Sequence, residues 1–550
     1  MTFISRGAGR QIACGFAAAF LVVLVQTPTQ LSAEERSITV VPSTTIAPSA
    51  NDAQSTAAGQ GAVSATVTAP ASACDARKFI DPDDMVGFMV TDLNKVIKSR
   101  QSTQRYLTLT HLANLCVGED AMKVYRQAAI KLLNSLSRTP DAVKLEAIDP
   151  EGTILRFNLV DLGWSLDDWN FLLASYPYTA SPDSELSRTL AKTTSTTLPY
   201  VRADWLASNA TQPQLYYSLM KLPNRFQDFT QQQGIDVAGD IRNLTAQRAG
   251  FEKSNVTQNN RIVERHPSRT GYFWVTYDFA GGKDRQSIFD FPTGPGGGSG
   301  FSHDSSETFF SLPNGFQGYY LSKASGELLD RSLPGVARDQ SQRIVTVTRG
   351  ISCMSCSDGG LERANDEVRN LVLTGRTFPR EVRDIVDGLY PPQEKMDALL
   401  DDDVKRFANA MSRAGLDPDL RLNGLEMMTA MSASYDGDLD LRTVAAELGL
   451  TISDFNESVD EAAGKFRPLL RRLTQGKISR DEFERSYRDL ADGLTDLALL
   501  PVQSKAKALA AQYQGQAVQP APPPVQVQKP QYQPPRPQYQ PPRPTYQRGY

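Results

Sequence analysis

Apolar residues recur three and four positions apart in "VGFMVTDLNKVI", "RYLTLTHLANLC" and "DAMKVYRQAAIKLLNSLS", so the spacing predicts three packed helices between Asp75 and about Thr139. "TILRFNLVDLGW" then reads as a strand and "SLDDWNFLLASY" as a helix whose Ser165 and Asp168 fit a capping arrangement. "YVRADWLASNA" and "LYYSLMKLP" read as short helices. The pattern changes in the centre: "GYFWVTYDFA", "ETFFSLPNGFQGYYLSK", "GELLDRSL" and "QRIVTVTRG" are aromatic and β-branched runs, with Pro313-Asn314-Gly315 as a turn inside the second. An antiparallel meander follows from that pattern. Past Gly359 the helical period returns and lasts to about Gln512. The expected fold class is therefore α+β, with a helical N-terminal region, a strand-rich antiparallel centre, a helical C-terminal domain and disordered ends.

Both ends lack the apolar content for a core. Residues 34–73 are rich in Ser, Thr, Ala and Pro without aromatics, and residues 513–550 repeat PQYQPPR at 530–536 and 537–543, a composition that favours extended polyproline II. The expected segmentation is 1–33 signal peptide, 34–73 linker, 74–200 mainly helical, 201–358 strand-rich, 359–512 helical and 513–550 tail. Arg6 and Arg10 ahead of the apolar run Ile12 to Val25, then Leu31-Ser32-Ala33, have the layout of a secretory signal cleaved after Ala33. Cys14 lies inside that run and goes with it. No later stretch has the roughly 20 apolar residues of a spanning helix. The expectation is a protein of the periplasm or extracellular space of a bacterial envelope, with no transmembrane span.

Charge narrows the partners. With 58 basic against 62 acidic residues and no basic face, nothing draws the chain to nucleic acid. The tail beyond Lys529 is locally cationic and interleaves Arg536, Arg543 and Arg548 with Tyr532, Tyr539, Tyr546 and Tyr550, which suits a solvated spacer or contact with a cell-envelope protein or polymer.

Four cysteines remain after residue 33: Cys74, Cys116, Cys353 and Cys356. An even number in an oxidising compartment reads as two disulfides, the near neighbours Cys353 with Cys356 and hence Cys74 with Cys116. "RGISCMSCSDGG" falls between an expected strand at Ile344 to Thr348 and a helix from about Leu361. A CxxC there can also attach haem c or contribute to a metal site. The first needs a histidine where Ser357 stands, and the second needs ligands beyond the two sulfurs.

"YLTLTHLANL", "AIDPEGTILRFNLVDLGW", "NNRIVERH", "YFWVTYDFAG", "FSLPNGFQGYYL", "GISCMSC" and "DLDLRTVAAELGLT", taken in order between about residues 78 and 490, resemble an uncharacterised family of exported bacterial proteins of c-type cytochrome character. Members typically read CMSCH, so the resemblance implies that Cys353 and Cys356 match haem-attaching positions and that Ser357 departs from the pattern. A cytochrome-like protein of binding or structural role without a resident cofactor is the expectation. Haem held through unusual ligation, by His266 or His303 with Met354 between the sulfurs, is the alternative. On local grounds His266 reads as a surface residue near Glu264, His303 as a loop residue beside Asp304, and His111 as a satisfied histidine on a helix packing face.

Three further motifs resolve toward structure. "PTGPGGGSG" (292–300) lacks the Lys-Ser/Thr of a phosphate loop and reads as a flexible connection. Asp436, Asp438, Asp440 and Glu447 have calcium-loop spacing, but Leu441 replaces the turn glycine, so Asp440 as the cap of a helix is the better reading. "LRTVAAELGLTISDF" reads as two helices packed at a short turn. No G-x-S-x-G elbow supports a hydrolase.

Overall fold

Helices flank an antiparallel sheet in the computed structural model of the chain, giving the α+β class. The structure describes residues 79–253, 259–281, 285–296, 300–330, 363, 365–461 and 464–501. The expected signal, linker and tail segments, the strand at Ile344 to Thr348 and the CxxC lie outside them. The described residues belong to one compact unit that ends at Pro501, and one large apolar cluster runs through it from Ile80 to Leu494, with a smaller one around Tyr272 and Trp274.

The N-terminal part is built on a small mixed sheet. Its strands are β1 (Gln104–Thr108), β2 (Glu146–Ala147), β3 (Ile154–Asn158) and, beyond the edge strand β4 (Ala180–Pro182) of another sheet, β5 (Tyr200–Arg202). They are ordered β2-β3-β1-β5, with β1 antiparallel to β3 and parallel to β5. The helical reading of "RYLTLTHLANLC" is corrected in its first half. Residues 104–108 are buried on both faces, so the run shows no strand alternation and its apolar spacing imitates a helix; only Thr110–Asn114 is helical. Likewise Tyr200–Arg202 is strand and helix starts at Ala203. The helices Pro82–Leu93, Glu119–Ser135, Leu166–Ser175 and Pro213–Met220 match their apolar periodicity, and Ser165 and Asp168 close the capping box at the third of them.

The centre is a five-stranded antiparallel meander of β6 (Gln247–Phe251), β7 (Arg261–Pro267), β8 (Tyr272–Asp278), β9 (Ser305–Ser311) and β10 (Gln317–Lys323), in the order β10-β9-β8-β7-β6. The Pro313-Asn314-Gly315 turn joins β9 to β10 as expected, with Gly315 at φ 90°, a backbone region open to glycine. In "GELLDRSL" the described residues 326–330 form isolated bridges at Glu327 and Leu328 rather than a strand, and the rest lies outside the described residues. Every residue of β8 is buried because both faces of the sheet are covered. On one face Phe229, from the helix Phe226–Gln233, stacks on Tyr320 at 4.3 Å. On the other, the helix Gln393–Arg413 brings Met396 and Leu400 onto Tyr272 and Trp274, and its Asp403 accepts the Trp274 indole N–H at 2.8 Å and a fork of bonds from Arg265 at 2.8 and 3.0 Å.

The C-terminal part is helical from Val368, not from about Leu361, since Arg363 and residues 365–367 have no regular structure. It also holds the hairpin β11 (Arg421–Leu422) with β12 (Leu425–Glu426), and β13 (Leu497–Leu499) returns to pair with β4. Leu441–Glu447 and Ile452–Glu461 are the two helices at a short turn, and Asp440 caps the first by accepting from the Thr443 N–H at 2.8 Å.

Candidate functional site

Parallel strands β1 and β5 end side by side, with Thr108 in register with Arg202, and each runs at once into a short helix. That geometry sets His111, one turn past β1, against Asp204, two residues past the end of β5. The carboxyl ends of adjacent parallel strands are where backbone and side chains open toward ligands. Here they form the floor of a cleft with about 610 Å³ of empty space including its open mouth. Glu447 and Tyr487 from the C-terminal helices make the opposite wall, and Pro182 and Leu497 on the paired strands β4 and β13 form part of the rim.

Buried charges organise the floor. Arg202 grips Asp204 with two bonds, Nε to Oδ1 at 3.1 Å and Nη2 to Oδ2 at 2.6 Å, and reaches Glu447 with Nη1. Arg480 forks the same glutamate at 2.6 and 2.9 Å and donates to the Tyr435 carbonyl at 2.7 Å and the Tyr178 hydroxyl at 3.1 Å. The four charged side chains are each 8% exposed or less. Burial pushes Glu447 toward its neutral form, but the two guanidinium groups outweigh it and hold the carboxyl at about 2. Asp204 behaves alike: burial is opposed by Arg202 and His111, and its carboxyl stays well below the usual range. Both arginines remain charged for the reciprocal reason. Arg202 also lies over the Tyr178 ring, 4.6 Å from its centroid.

His111 meets this cluster through Nε2 alone, 2.9 Å from Asp204 Oδ2 and 3.0 Å from Arg202 Nη2. Asp204 can only accept and Arg202 can only donate, so Nε2 satisfies one of them according to its tautomer, and Nδ1, with no hydrogen bond among the described residues, is left to face the cleft. Tyr487, 4% exposed, packs edge-on against Tyr178 at 4.9 Å, and its hydroxyl too has no hydrogen bond among the described residues. The satisfied-histidine reading of His111 covers only one of its nitrogens.

Arg202, Tyr487 and the cleft were not singled out from sequence. Arg202 and Glu447 stand 245 residues apart, and a lone Glu447 reads there only as the last position of a calcium-loop spacing. In the structure Glu447 faces the interior, Asp440 caps its helix and Asp436 accepts from Ser208 at 2.7 Å, so these carboxylates do not converge. No group of three or more His, Cys, Asp or Glu among the described residues is placed to hold a metal ion.

The residues expected to meet haem divide sharply. Cys353, Met354 and Cys356, together with Cys74, lie outside the described residues. Cys116 is buried and disulfide-bonded. His266 is not the surface residue its neighbours suggested: it sits in β7 with a fully buried side chain, Nε2 2.9 Å from Glu264 and Nδ1 3.0 Å from Asp240. Burial opposes its charge, but the two carboxylates win and its pKa is raised. Glu264 also accepts from Arg248 and from the Tyr277 hydroxyl at 2.6 Å, and is held at about 2. His303 is half-buried between the rings of Tyr277 and Phe301, 5.0 and 6.1 Å away, and burial lowers its pKa to about 4. Among the described residues no helix is long and apolar enough to cross a membrane.

Comparison of the chain with protein-family models, curated proteins and solved structures finds no match.

Proposed function

We propose that the chain is an exported, non-catalytic binding or structural protein of the bacterial envelope, cytochrome-c-like in origin. In this reading Ser357 stands where haem attachment needs histidine, and Cys353 and Cys356 form a disulfide. The observation that carries it is the state of His266. Both ring nitrogens are held by carboxylates inside the sheet, so a histidine within the resembling block "NNRIVERH" has no lone pair to offer an iron. The tail from Lys529 serves as a cationic, tyrosine-bearing arm toward an envelope protein or polymer.

One observation favours a second reading, an electron carrier that holds haem by unusual ligation. His303 keeps a neutral imidazole down to about pH 4 and has no hydrogen bond among the described residues, so it fits an axial ligand where His266 does not. Visible absorption of protein purified from its native compartment separates the two. No Soret band, together with no free thiol at Cys353 and Cys356, is the expected result; a Soret band surviving acid-acetone extraction would establish the second reading. Ser357→His in a host with haem-attachment machinery then shows whether a haem pocket persists.

A further inference from the structure

We infer that the cleft over His111 and Tyr487 is a binding site for a neutral, hydroxyl-rich ligand of monosaccharide size. The charges lining the cleft set the class. Arg202 is already shared by Asp204 and Glu447, and Arg480 is spent on Glu447, so the floor offers an anion no uncommitted cation. A cationic ligand would meet Arg202, which already lies over the face of Tyr178 where an aromatic cage would take an ammonium group.

What the cleft does offer is neutral hydrogen-bonding capacity. His111 Nδ1 can pair with a ligand hydroxyl, as acceptor or donor according to the tautomer, with the ring held by Asp204 and Arg202 behind it. The Tyr487 hydroxyl can donate and accept across from it. Tyr200 makes, among the described residues, one long hydrogen bond, a 3.3 Å donation to Ser181, so its oxygen can still accept, and burial raises its pKa to about 12, so it stays protonated. Apolar surface from Met85, Pro182 and Leu497 lies among these groups and suits the C–H faces of a sugar ring. Unpaired polar groups in a buried wall cost stability unless a partner arrives, and a polyol supplies hydroxyls that serve as donor and acceptor at once.

The inference rests on the binding reading above but not on the state of the CxxC. A haem spectrum would overturn that reading and leave the cleft unaltered, so the two failures are distinct. The test titrates the full chain with D-glucose, D-galactose and glycerol, with inorganic phosphate and choline as charged probes, by saturation-transfer NMR and calorimetry. For a hexose making a few hydrogen bonds the expected Kd is on the order of 1 mM or tighter. Tyr487→Phe removes only a hydroxyl with no hydrogen bond among the described residues, so it does not lower thermal stability and weakens hexose binding by about fivefold or more. Tyr272→Phe is the control, because its buried, unpaired hydroxyl lies in the central sheet and not in the cleft; it leaves binding unchanged. No saturable hexose binding up to about 50 mM, equal binding by Tyr487→Phe, or tighter binding of phosphate or choline than of any hexose overturns the proposal.

Discussion

The two buried histidines, His111 at the cleft and His266 in the central sheet, are both fixed by carboxylates and an arginine cluster, yet they end in different states. His266 has a carboxylate on each nitrogen and is closed on all sides, a proton-bearing bolt between β7 and the helix that carries Asp240. His111 has a carboxylate on one nitrogen only, and the other belongs to a cleft. The difference comes from topology. An antiparallel meander surrounds β7 with partners on both sides, whereas parallel strands that end together leave space above their carboxyl ends. Buried charge of one kind thus locks a fold in one region and frames an opening in the other.

The largest expected effect breaks the two clusters and ranks them. Glu447→Ala leaves the buried Arg480 guanidinium without its carboxylate and takes one of two from Arg202, and loss of about 3–5 kcal/mol of unfolding free energy by urea titration is expected, because an uncompensated buried charge is the costly case. Glu264→Gln leaves Arg248 unpaired as well, but His266 can release its proton and still be held by Asp240, so a smaller loss is expected. If Glu264→Gln proves the more destabilising, the cleft cluster is less essential than its two shared arginines imply.

Stability against pH separates the histidines by sign. A raised folded pKa means that the His266 contribution is fully present below about pH 6.5 and is lost as pH climbs through the higher folded value. His266→Gln should remove that alkaline slope. His303 is the opposite case: its folded pKa of about 4 lies below the ordinary 6.5, so the unfolded chain binds more protons and stability falls as pH drops from about 6.5 to 4. His303→Leu should flatten that acid limb. Below about pH 4.5 the carboxyls of Glu447 and Glu264, both held at about 2, add a second decline that neither histidine variant removes. Melting temperatures of the three proteins from pH 3 to 9 check all of these signs.

What was legible in the chain is what local chemistry writes. The capping box at Ser165 and Asp168, the Pro313-Asn314-Gly315 turn and the Asp440 cap each need partners no more than a few residues away, and each stands as read. The misread segments are those whose conformation is decided from afar. Residues 104–108 become strand because β3 and β5 flank them, and burial of both faces erases the alternation that would announce it. His266 looked exposed because its sequence neighbours are polar, yet Arg265 is turned to Asp403 and Glu264 inward to Arg248. The cleft was illegible for the same reason, since His111, Arg202, Glu447 and Tyr487 meet only after the C-terminal helices pack back on the N-terminal sheet.

A smaller effect tests the local reading of 436–447. Asp440→Ala removes one helix cap and should cost about 1 kcal/mol. Because the carboxylates of that stretch do not converge, the cost should be the same with calcium or with a chelator; a calcium-dependent difference would restore the metal-loop reading.

The smallest effect sets the scale for the others. Arg188 meets Asp183 at 2.6 Å, closer than many of the buried contacts, but the two side chains are 66% and 73% exposed. Water already solvates both charges, and the Coulomb gain is screened while the side-chain ordering cost remains. Arg188→Ala should therefore change unfolding free energy by less than about 0.5 kcal/mol, against the several lost when Glu447 is removed from an ion pair with the same Arg-to-carboxylate chemistry. Should the exposed pair prove comparable, burial would not be what distinguishes the clusters around His111 and His266 from ordinary surface charge.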